Sequence, residues 1–147
     1  MKPNTDYCVR VCNELLKSEL SAMQTYAHAV EKYTGWPVAE VLRDIRKDHS
    51  RAAIRLAANV RDLGGEPEEA GNAWEHVLTS LNETEKLFGE ESAIDWLQKG
   101  EEMVRRHYQN ALLDDHVVSD SKMMIREELL PAVIYHIASL ERLEEAV

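Results

Sequence analysis

The sequence predicts an all-α protein, an antiparallel bundle of four long helices with a short extra helix in the connection between the two helical pairs. Three observations predict it. Apolar residues recur at three- and four-residue spacing through four long stretches, the period of a helix with one buried face. Turn-forming residues mark the ends of the first two stretches, at Gly35–Pro37 and Gly64–Pro67. Finally, one polar pattern occurs twice on different stretches. Glu19 precedes Tyr26, Ala29 and Val30 with the spacing by which Glu101 precedes Tyr108, Ala111 and Leu112. A second pattern pairs His49 and Arg55-Leu56 with His136 and Arg142-Leu143.

The first helix is expected from about Thr5 to Tyr33, capped by Asn4 or Thr5 and built on Cys12, Leu15, Leu16, Met23, Tyr26 and Val30. Gly35 ends it. Pro37 suits the first turn of the second helix, because a first-turn residue needs no backbone N–H. That helix runs to Leu63 on Val38, Leu42, Ile45, Leu56 and Val60, and Gly64-Gly65 stops it. After the loop at 64–72 comes the short helix, Ala73–Phe88, on Trp74, Val77, Leu78, Leu81 and Leu87, interrupted by Gly89. The next long helix is expected over Ser92–Leu113, with Ser92 and Asp95 spaced as a capping pair. The last is expected over Ser119–Glu145. Pro131 removes one of its hydrogen bonds and should distort it near Arg126–Glu127.

A chain of 147 residues reads as one domain, 1–147, long enough for a hydrophobic core. Its net charge of −10 argues against nucleic acid, which needs a basic surface. No apolar run reaches the roughly 20 residues of a membrane span. The N-terminus has no signal-peptide pattern, so the expected location is cytoplasmic. A homodimer or other homo-oligomer is the assembly considered. Cys8 and Cys12 lie one helical turn apart with no second thiol pair to complete a zinc site. They read as reduced, partly buried thiols, with a redox or inter-subunit disulfide role as the alternative. His28, His76, His107 and His116 share no face and read as surface residues.

Four polar residues do not fit a solvated face. Glu19 is flanked at helical spacing by Leu15, Leu16, Ala22, Met23 and Tyr26, and Glu101 by Ile94, Leu97, Val104 and Tyr108. His49 shares a face with Leu42, Ile45, Ala52, Ala53 and Leu56, and His136 with Leu129, Val133, Leu140 and Leu143. A buried carboxylate must be protonated, hydrogen-bonded, paired or metal-bound. One such residue per helix is how a metal site is built inside a bundle. The alternative is a self-satisfied cluster, Glu19 with His49 and Glu101 with His136, with the tyrosines as donors. Glu128 could reach this cluster if the distortion at Pro131 swings it inward.

The run LLKSELSAMQTYAHAV resembles the first helix of the bacterioferritins. GEEMVRRHYQNAL resembles the third long helix of ferritin-like bundles. LRDIRKDHSRAAIRLAANVRDLGGEP resembles their second helix, with the Gly-Gly-x-Pro exit of rubrerythrin-like proteins. The resemblance implies the ferritin-like superfamily, and within it a single-domain bacterial branch. It also implies a two-metal site, of iron, manganese or another ion, used in ferroxidase, peroxidase or oxygen chemistry. Such a site takes a single Glu from each of two helices and a Glu-x-x-His from each of the other two. Glu19 and Glu101 match the single glutamates. The paired motifs depart from the pattern: in one register Arg46 and Val133 occupy the glutamate positions, and in the other Ala52 and Ser139 occupy the histidine positions. Either way both bridging carboxylates are missing.

Two functions follow as expectations. One is a degenerate, non-catalytic scaffold or stress-associated protein that retains a polar core cluster. The other is a protein that binds iron, manganese or zinc through Glu19, His49, Glu101 and His136, with weak oxidase or peroxidase activity and Tyr26 and Tyr108 beside the site. No nucleophile elbow, phosphate loop or dinucleotide fingerprint is present, and enzyme status stays open.

Overall fold

A computed structural model of the chain describes residues 5–69 and 93–146. Among the described residues the regular structure is helical throughout, with no strand. Helix α1 spans Thr5–Lys32, α2 Pro37–Asp62 and α3 Ala93–Leu113. The last long helix comes in two parts, α4 at Ser119–Met124 and α5 at Leu130–Ala146, joined by a π-helical turn over Ile125–Leu129. The helix expected at Ala73–Phe88 and the cap expected at Ser92 lie outside the described residues.

The helix ends follow from local chemistry. Trp36 is extended and Pro37 opens α2. At the other end Gly64 adopts a positive φ of 85°, and the N–H groups of Gly64 and Gly65 bond the carbonyls of Arg61 and Val60. That is the Schellman arrangement, which satisfies carbonyls the helix leaves open. Gly65 has a further reason to be glycine. A Cβ there would lie 2.6 Å from a Val9 methyl, so the end of α2 packs directly on the start of α1.

The π turn falls where Pro131 was expected to disturb the helix. Pro131 has no N–H for the Glu127 carbonyl, and Leu130 N–H reaches back five residues to Ile125. The buried series Ser121, Ile125, Leu129, Val133 recurs every four residues. At 3.6 residues per turn an α-helix rotates such a series by about 40° per step. The wide turn absorbs this drift, so Met124 and Ile125 before it and Val133 and His136 after it all reach the core.

Two apolar clusters form that core. One gathers Leu15 and Leu16 of α1, Ala52, Ala53 and Leu56 of α2, Val104, Tyr108 and Ala111 of α3, and Met124 to Val133 of the last helix. The other gathers Tyr26 and Ala29, Val38 to Ile45, Ala93 to Leu97, and Leu140. On every helix the polar residue singled out from the sequence falls between the two. Glu19, His49, Glu101 and His136 form a polar waist between two apolar halves.

Candidate metal centre

Each of the four waist residues is buried to within 2% of full burial, and each sits in mid-helix, where the backbone is rigid. They form a chain of contacts rather than two separate pairs. Tyr108 Oη donates to Glu19 Oε1 at 2.5 Å. The other oxygen, Glu19 Oε2, lies 2.5 Å from His49 Nδ1. His49 Nε2 lies 2.6 Å from Glu101 Oε1. Glu101 also faces His136, whose Nδ1 is 3.3 Å from Oε1 and 3.2 Å from Oε2. The outer nitrogen of His136, Nε2, lies 2.9 Å from Asp48 Oδ2. The two imidazole rings are neighbours, with centroids 4.8 Å apart.

The electrostatics follow from this order. Burial alone would push His49 down, but the charges of Glu19 and Glu101 and their hydrogen bonds outweigh it and hold His49 up at about 10. Burial would likewise raise Glu101, but the His49 charge and the histidine N–H donors lower it. At neutral pH His49 is therefore an imidazolium, held between Glu19 and Glu101. Tyr26 and Tyr108 are driven well above the ordinary tyrosine range by burial and by the nearby carboxylates, so both stay protonated.

All four residues picked from the sequence meet in this cluster, in unequal positions. One donor atom each from His49, Glu101 and His136 lies within 4.8 Å of the others. Glu19 sits behind His49, on the ring's far nitrogen. Tyr108 donates into the cluster as expected, whereas the buried Tyr26 hydroxyl has no partner among the described residues and its ring packs on His49 at 5.2 Å. Asp48 was missed. It adjoins His49 in sequence but points about 100° away around α2, and its partner lies on another helix. Glu128 does not reach the cluster: it is exposed and holds Arg55 in a two-pronged pair at 2.7 and 3.1 Å. His107 and His116 are exposed and His28 is half-buried. His76 lies outside the described residues.

Among the described residues the donor set fits one ion and not two. A tetrahedral ion with bonds of about 2.0–2.2 Å spaces its ligands about 3.4 Å apart, so the three groups need only small shifts to take one. In the register that aligns His49 and His136 with the histidines of a Glu-x-x-His pattern, a second ion would need carboxylates where Arg46 and Val133 stand. Arg46 instead gives its Nε–H to the Met23 carbonyl at 3.0 Å, and Val133 is core. Glu101 and Tyr26 also line a cleft of about 480 Å³ between α1 and α3, where Gly100 leaves open space.

Residues 8–114 match the family described as Domain of unknown function (DUF2383), and the chain belongs to that family. The match takes in Glu19, Asp48, His49, Glu101 and Tyr108, while His136 lies beyond it. No curated protein and no solved structure matches the chain.

Proposed function

We propose that this protein is a ferritin-like four-helix bundle that holds a single divalent transition-metal ion at its waist, through His49 Nε2, the Glu101 carboxylate and His136 Nδ1. The observation that carries the reading is the convergence of three donors, from three helices, within 4.8 Å in a buried setting. The bundle topology is supported by the order in which each helix meets the two apolar clusters. α1 and the last helix pass from the Leu16 cluster to the Leu140 cluster, and α2 and α3 pass the opposite way. That order supports an up-down-down-up arrangement, with the end of α2 and the start of α3 at opposite ends of the bundle, as in ferritin-like folds.

Two imidazoles and one carboxylate suit zinc, iron or manganese and leave coordination positions open. A bound ion would supply Lewis acidity and, if it were iron or manganese, one-electron redox capacity. With Arg46 and Val133 in place of bridging carboxylates, paired-metal oxygen chemistry has no second site to use. The protein's own groups hold the two rings in place and exclude water from them.

Anaerobic loading of chelator-treated protein with zinc, manganese or iron(II) tests the reading. One ion per chain is expected, with loss in Glu101→Gln and His49→Gln. Glu19→Gln keeps the stoichiometry, because that carboxylate is behind the ligand rather than in the set. Absence of specific binding, or binding unaltered in the Glu101 and His49 variants, overturns it. The second reading, a non-catalytic scaffold, would then stand, and it has its own support: the cluster closes on itself through hydrogen bonds from Tyr108 to Asp48.

A further inference from the structure

The two histidines are held from behind in the same way, by carboxylates on different helices. Glu19 divides its oxygens, Oε1 accepting from Tyr108 and Oε2 facing His49 Nδ1. Asp48 divides its own, Oδ1 accepting from Arg51 at 2.9 Å and Oδ2 facing His136 Nε2 at 2.9 Å. In each case one oxygen is anchored by a separate donor and the other receives the outer nitrogen of a ring. In each case the inner nitrogen is thereby turned toward Glu101.

We infer that Asp48 is a positioning residue of this centre: its carboxylate fixes the ring orientation of His136 so that Nδ1 faces Glu101, and it holds the Nε2 proton when Nδ1 takes the ion. The inference rests on the single-ion reading. A ligating imidazole keeps its proton on the nitrogen away from the metal, and a carboxylate there fixes which nitrogen that is. Helix α2 thus supplies one ligand, His49, and from the adjacent residue the group that orients the ligand on α5. The two sides differ in exposure. Glu19 and Tyr108 are buried, whereas the Asp48 side chain is 32% exposed and that of Arg51 74% exposed. Asp48 can therefore be changed without opening the core.

The experiment compares wild type with Asp48→Ala and Asp48→Asn, using zinc and a competing chelator for affinity and imidazole ¹⁵N–¹H NMR of the zinc-free protein for the ring. In wild type the His136 Nε2–H resonance is expected downfield and slow to exchange. In Asp48→Ala it is lost, zinc affinity falls 10- to 100-fold, and stoichiometry stays at one ion. Asp48→Asn keeps an acceptor oxygen, retains the fold and falls less. Unchanged zinc affinity and an unchanged His136 resonance in Asp48→Ala overturn the inference. If wild type binds none of zinc, manganese and iron(II), the single-ion reading fails instead, and the resonance still decides whether Asp48 holds the ring.

Discussion

His49 carries a charge in the least accessible part of the protein because two carboxylates face its two nitrogens, and the same accounting applies to every buried polar residue here. Cys8 and Cys12 are fully buried, and burial pushes the Cys12 thiol up to about 11, with Cys8 adding to the shift. Cys12 also donates to Asn59 Oδ1 at 3.2 Å, and Cys8 Sγ accepts the Val118 N–H. These thiols act as small packing and capping groups. Neither is expected to react with a thiol reagent at pH 8 in the native protein, and both should react in urea. Rapid labelling of the folded protein would contradict the burial of the two thiols. At this scale the sequence was informative wherever one helix settles the matter. Glu19, His49, Glu101 and His136 could be found because their neighbours three and four positions away are apolar. Asp48 could not, since its role depends on how α2 and α5 are placed relative to each other. The outer position of Glu19 and the aim of Arg46 at the Met23 carbonyl depend on packing in the same way.

The end of α1 and both ends of α2 were legible because they are written in Gly and Pro, and α1, α2 and α3 begin and end within a residue or two of their expected places. Pro131 was legible as a disturbance but not in its form. The π turn answers two demands at once, a proline without an N–H and a buried series with a four-residue repeat. Deleting one exposed residue from such a turn should restore an α-helix with both flanks in register, and Glu127 is exposed. In the presence of Pro131 that deletion would force the proline ring against a helix carbonyl, at a cost of about 3 kcal/mol. In a Pro131→Ala background it should cost little. Urea denaturation of the two deletion variants checks this. Equal destabilisation would mean that the wide turn is required by the core and not by the proline.

At the scale of the molecule, the described residues form two apolar halves with an ionic layer between them, which the sequence could suggest only as four matched residues at unknown depth. Such a layer is a poor source of stability. Charges taken from water lose more solvation than their mutual attraction returns, and apolar replacement of a buried ion cluster is often neutral or stabilising by about 1–4 kcal/mol. Removal of a single member is different, because it strands the others. Glu101 faces both histidines, so Glu101→Leu alone should cost about 3–5 kcal/mol. A concerted variant with Glu19, His49, Glu101 and His136 all changed to Leu or Met, and Tyr108 to Phe so that its hydroxyl is not stranded, joins the two apolar clusters into one continuous core. It is expected to match or exceed the wild-type urea midpoint. If it does, the ionic layer is kept at the expense of stability, which agrees with the proposed single-ion site and not with a folding role. If the concerted variant instead melts without cooperativity, the layer is what aligns the four helices, and the waist is a device for specifying the fold.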